Sequence, residues 1–70
     1  MSFAEQIKFV RKKLYLSQQA LANELGVAFA TINRWENNHV KPNLVMEAKF
    51  NDFCLKHNIY FEENNNAKNN

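Results

Sequence analysis

Seventy residues, 46% of them apolar, with a formal charge of +2, allow one domain around one small core and do not fit wholesale disorder. The apolar runs are too short for a transmembrane helix, and the N-terminus does not join a basic start to a long apolar stretch, so neither a membrane span nor a secretory signal is expected. The single cysteine, Cys54, cannot close an internal disulfide, which fits a reducing cytoplasm.

One Gly and one Pro are the strong breakers, so the chain should be mostly helix. Ser2 followed by Glu5 forms a capping-box pattern and predicts a first helix start. Ile7, Val10 and Leu14 recur at helical spacing and supply its buried stripe, with Lys12 and Lys13 off it. Leu14-Tyr15-Leu16 should end that helix and enter a turn. Ser17 is the N-cap candidate of a second helix, which buries Leu21, Ala22 and Leu25 and stops at Gly26, where a left-handed residue costs little. Val27 fills the corner.

A third helix is predicted from about Ala28 to Asn37, with Ile32 and Trp35 three apart on its inner face. Asn37-Asn38 should end it, because Asn tolerates the left-handed conformation. Lys41-Pro42-Asn43 reads as a loop with Asn43 capping a fourth helix. Met46, Phe50, Phe53, Cys54 and His57 make the apolar stripe of that helix, and Asn58 closes it. Ile59-Tyr60-Phe61 is expected to fold back onto the core. The domain is thus expected to span residues 1–61, and the Asn-rich residues 62–70 read as a disordered tail.

Charge is unevenly spread. Residues 8–41 hold Lys8, Arg11, Lys12, Lys13, Arg34 and Lys41 against Glu24 and Glu36, a balance of +4, whereas residues 42–70 balance at −1. Attraction to phosphates and a merely solvated helix face both account for this.

The segment Ser17 to Glu36 is the most specific pattern. Two short helices that cross closely need a small residue at the crossing, which is Ala22. They also need positive φ at the turn, which Gly26 tolerates. Leu21, Leu25, Ile32 and Trp35 then close the wedge. Together with Arg34-Trp35-Glu36-Asn37, this segment resembles the helix-turn-helix of Cro/C1-type phage repressors, the XRE-like family, over roughly residues 5 to 57.

The resemblance implies an all-α, compact domain of four or five helices, lambda-repressor-like, that binds operator DNA, often as a homodimer on a palindromic site. It implies no enzymatic activity and no cofactor. By position, Phe29, Ala30, Asn33 and Arg34 correspond to residues that face base edges. Gln18 corresponds to one that contacts a phosphate and braces the reading helix, and Asn37 to a second phosphate contact. Arg11 and Glu36 match a family ion pair.

The chemistry of these positions suits those roles. Arg34 can bond guanine O6 and N7, Asn33 can pair with adenine N6 and N7, and Phe29 and Ala30 can touch a thymine methyl. Lys12, Lys13 and Lys41 are candidates for phosphate contact, which orients the protein without specifying sequence. Phe29 has an equal alternative, folding against Val27 or the first helix. The chain departs from the family pattern at Ala28, where Ser or Thr usually caps the reading helix, and at Asn38, where Gly is usual. After Pro42 it reads as one helix, where the family has two short ones and often dimerises through the last.

Other readings are weaker. Trp35 shares a face with Ile32 and belongs in the core. His39 and His57 lack neighbours at metal-ligand spacing, so no metal site is expected, and His57 also reads as packing at a helix end. Cys54 lies in an apolar stripe and reads as an inert thiol. Beside sequence-specific duplex binding stand two alternatives. One is a protein-interaction module, an antitoxin or adaptor using Tyr60-Phe61 and the acidic C-terminal half. The other is the N-terminal DNA-targeting piece of a larger enzyme.

Overall fold

Three of the four helices among the described residues begin at a side-chain hydrogen bond to the backbone, and the computed structural model describes residues 1–38 and 41–61. Helix α1 (Phe3–Lys13) starts at a complete capping box. The Glu5 amide donates to Ser2 Oγ at 3.2 Å, and the Ser2 amide donates to Glu5 Oε1 at 2.9 Å. That bond from Ser2 is also the main reason the Glu5 carboxyl titrates below its usual range. Helix α2 (Gln18–Leu25) is capped by Ser17 Oγ, which accepts from the Ala20 amide at 3.0 Å. Helix α4 (Leu44–Lys56) is capped by Asn43 Oδ1, which accepts from the Met46 amide at 2.9 Å. Helix α3 (Phe29–Glu36) differs: Ala28 takes the N-cap conformation but supplies no side-chain bond.

The helices end alike, each followed by a residue in the left-handed region. These are Tyr15 (φ 57°), Gly26 (φ 70°), Asn38 (φ 62°) and Asn58 (φ 60°). Gly26 serves conformation, not space, since an added Cβ would meet nothing closer than Lys49 Nζ at 3.9 Å. At Tyr15 the motif is closed by two bonds, Tyr15 N–H to Lys12 O at 3.2 Å and Leu16 N–H to Arg11 O at 2.8 Å. The same pair recurs after α4, from Asn58 to Leu55 O at 3.0 Å and from Ile59 to Cys54 O at 2.8 Å. Tyr15 itself is 95% exposed, so no packing offsets its strained backbone.

The core is built from Ile7 and Val10 of α1, Leu21, Ala22 and Leu25 of α2, Ile32 and Trp35 of α3, Phe50, Phe53 and Cys54 of α4, and Ile59. Ala22 is fully buried, as the close approach of α2 to α3 requires. Phe3 stacks edge-on against both Trp35 and Phe50, with centroids 5.4 and 5.3 Å apart, and so joins α1, α3 and α4. Leu14 and Val27 are half-buried against this core.

Three expectations need adjustment. His57 is not within the buried stripe of α4: it is the exposed C-cap, at the helix end where its other reading puts it, with its ring 4.5 Å from that of Phe53. Ile59 and Phe61 do return to the core, and Phe61 meets Phe9 at 5.8 Å, but Tyr60 is exposed because extended chain turns successive side chains to opposite sides. The third helix is one residue shorter at each end, Ala28 and Asn37 being its caps. The single helix after Pro42 is observed as predicted. His39, Val40 and the expected tail at 62–70 lie outside the described residues.

Two substitutions should stabilise this fold. Ala28→Ser supplies the missing cap and should add about 1 kcal/mol. Tyr15→Gly removes the left-handed penalty and should add about 1 kcal/mol. Thermal unfolding should show each as a rise of roughly 4–8 °C. An unchanged Tm for Ala28→Ser would mean that the first turn of α3 gains nothing from a side-chain cap.

Candidate nucleic-acid interface

Helix α3 has two faces. At about 100° per residue, Ile32, Trp35 and Glu36 share one arc, and all three are buried. Ala30, Asn33, Arg34 and Asn37 fall on the opposite arc, and all four are exposed. Phe29 lies at the border of the two arcs and is 46% exposed, so it is not folded into the core. Three of the four residues matched to base edges, Ala30, Asn33 and Arg34, with Asn37 beside them, therefore lie on the outer surface of one helix, and Phe29 lies at its edge. Among the described residues, the Arg34 side chain makes no hydrogen bond or ion pair, so its guanidinium donors are free of them.

Behind this surface runs a chain of polar side chains. Arg11 grips Glu36 with two bonds, Nε to Oε2 at 2.6 Å and Nη2 to Oε1 at 3.0 Å. Its Nη1 donates to the Leu16 carbonyl at 3.3 Å. Gln18 Nε2 donates to Glu36 Oε1 at 3.1 Å. Asn33 Nδ2 donates to Gln18 Oε1 at 3.4 Å, the longest link, and Asn37 Nδ2 donates to Asn33 Oδ1 at 3.1 Å. Gln18, at the start of α2, thus braces α3 from both ends of its amide.

Glu36 is 5% exposed, and burial alone would raise its pKa. The bonds from Arg11 and Gln18, together with the charges of Arg11 and Lys8, outweigh burial and hold the carboxyl below its usual range. Its partner moves oppositely: the bond to Glu36 raises the Arg11 pKa against the opposing effect of burial.

The basic residues divide by helical period. Lys8 and Lys12 are four apart on the Arg11 flank of α1, and the charge of Lys8 reaches Glu36. Lys13 instead shares a face with Phe9, which packs on Phe61. Adjacency in sequence grouped Lys12 with Lys13, whereas the helix groups Lys12 with Lys8. Lys8 belongs among the candidate phosphate contacts, and its four-residue spacing from Lys12 was the available signal. Lys41 is exposed in the loop before α4. Cys54 is buried, which pushes its thiol up to about 11 and keeps it protonated at neutral pH.

Two short helices joined through a left-handed Gly26, the second anchored inside and polar outside, define a helix-turn-helix domain. The helix-turn-helix family model matches residues 7–46, more than half of the chain, and the protein belongs to the Cro/C1-type, XRE-like helix-turn-helix family. This is a family of DNA-binding regulators, typically non-enzymatic. No curated protein and no solved structure matches the chain. Among the described residues, no helix is long and apolar enough to cross a membrane.

Arg11→Met should cost about 3 kcal/mol, because it leaves a buried carboxylate without its cation. The pair also gives stability a sign with pH. Glu36 titrates below its ordinary value of 4.5 in the folded chain, so its contribution is complete above that pH and is lost as pH falls through the folded value. Urea titrations across the acid range should show this decline in the parent and a weaker one in Arg11→Met, with Glu5 contributing equally to both. Parallel declines in the two proteins would mean that the pair is not what lowers the Glu36 pKa.

Proposed function

We propose that this domain binds duplex DNA sequence-specifically and regulates transcription, with α3 lying in the major groove. The observation that carries this reading is the exposed outer arc of α3, where Asn33, Arg34 and Asn37 sit on a helix fixed through its opposite side. Arg34, with its donors unengaged, reads guanine O6 and N7, and Asn33 reads adenine. Phe29 and Ala30 meet thymine methyl groups. Gln18, Asn37, Lys8, Lys12 and Lys41 hold phosphates on either side, and Lys13 contributes to the longer-range field.

One reading helix of eight residues buries little surface. Tight binding therefore calls for two copies on an inverted repeat, with their reading helices about 34 Å apart. Upstream of its own gene, such a dimer acts as a repressor.

A second reading, an adaptor or antitoxin that binds protein, is favoured by one observation. Leu44, Val45, Leu55 and Tyr60 are each more than half exposed on or beside α4. The two readings separate by salt, because contact with phosphates releases counterions and a protein–protein surface does not.

Selection from a random duplex pool followed by gel shifts tests the proposal. Arg34→Ala should relax preference at one base pair and weaken the selected site by about 1–3 kcal/mol. Lys12→Ala should weaken all sequences alike and reduce the salt slope by about 1. Undiminished selectivity in Arg34→Ala would refute the assignment of the reading face.

A further inference from the structure

We infer that Glu36, buried and facing away from the outer arc of α3, sets the donor–acceptor order of that arc through a one-way chain of amides, and so poises Asn33 to read adenine. The inference rests on the DNA-binding reading above and adds a positioning residue that does not itself touch DNA.

The direction of the chain follows from its first member. An ionised carboxylate has only acceptors, so Gln18 must turn its NH2 toward Glu36 and its Oε1 outward. That oxygen accepts only if Asn33 turns its NH2 inward, which leaves Asn33 Oδ1 to accept from Asn37. A flip at any link would set oxygen against oxygen or NH2 against NH2. The orientations are therefore fixed by chemistry as well as by fit. Arg11 keeps the source ionised by occupying both oxygens of Glu36.

What remains free on Asn33 is specific. An amide carries two N–H donors and two carbonyl lone pairs. Gln18 takes one of the donors, and Asn37 takes one of the lone pairs. One donor and one acceptor are left in a fixed order. Adenine offers N7 as acceptor and N6 as donor, which this pair complements. Guanine offers two acceptors and would oppose Oδ1 with O6. Holding the side chain beforehand also lowers the ordering cost of binding. With Gln at position 36 the first link could run either way, and the order of the whole chain would no longer be set.

Two measurements on the full chain test this. The first records the side-chain amide signals of Gln18, Asn33 and Asn37 in the 15N-labelled protein without DNA. The second repeats selection from random duplexes. In Glu36→Gln, the Asn33 and Asn37 signals should move together, and adenine preference at one position should fall about tenfold while the guanine preference assigned to Arg34 persists. Gln18→Met, which spares the Arg11–Glu36 pair, should do the same and keeps the test open should Glu36→Gln not fold.

Asn33 signals unmoved in folded Gln18→Met, or an adenine preference undiminished there, would overturn the inference. Uniform weakening at every position would assign Gln18 to phosphate contact alone and overturn it too. A parent chain that selects no sequence would overturn the DNA-binding reading and the adenine assignment with it. The amide signals, which need no DNA, would then decide the relay by itself.

Discussion

The carboxylate of Glu36 ties together three helices that also share the apolar core. It lies at the last turn of α3, is gripped by Arg11 from the last turn of α1, and accepts from Gln18 at the first turn of α2. A buried ion pair is a poor source of net stability, since the desolvation of both charges offsets much of their attraction. Its consequence here is geometric. Apolar contacts among Ile7, Leu21 and Ile32 tolerate small sliding, whereas a two-pronged guanidinium–carboxylate contact does not. The same guanidinium also holds the Leu16 carbonyl, so the turn entering α2 is set by the group that sets the end of α3.

Helix α3 needs that support. Eight residues without an N-cap bond would not persist alone in water, where nucleation is costly. The helix exists because Ile32 and Trp35 are buried and because Phe3 presses edge-on against Trp35. Its inner face is thus held by the core and its last turn by the ion pair. The outer arc carries little of the fold's energy, which leaves Ala30, Arg34 and Asn37 open to be chosen for something other than stability.

Much of this was legible in the sequence, for reasons that differ by element. Ser2, Ser17 and Asn43 announce helix starts because a cap is a bond across three residues. Gly26, Asn38 and Asn58 announce helix ends because those residue types tolerate positive φ. Tyr15 takes the same conformation against its own preference, so no local signal marked its backbone. The exposure of Tyr60 and His57 depends on how the chain leaves α4, which a helical period cannot describe. The pairing of Arg11 with Glu36, across 25 residues, came from family resemblance and not from periodicity. The amide chain through Gln18 and Asn33 was partly visible as a bracing role for Gln18. Its direction required the positions of three helices.

The two ends of α3 are held unequally, and the residues at each end suit that difference. Phe29 and Ala30 lie in the uncapped first turn, and neither has a side-chain hydrogen-bonding group. The contact open to them is dispersion with another apolar group, which is non-directional and tolerates a few tenths of an ångström. Asn33, Arg34 and Asn37 lie toward the end tied by Glu36, and their chemistry is directional, weakening steeply as angles open. Side-chain hydrogen bonds to α3 are therefore concentrated toward its C-terminal end, where the directional side chains lie. A Ser at position 28 would hold the first turn more firmly, but Asn33 and Asn37 are already held by the bonds that run through Gln18 from Glu36.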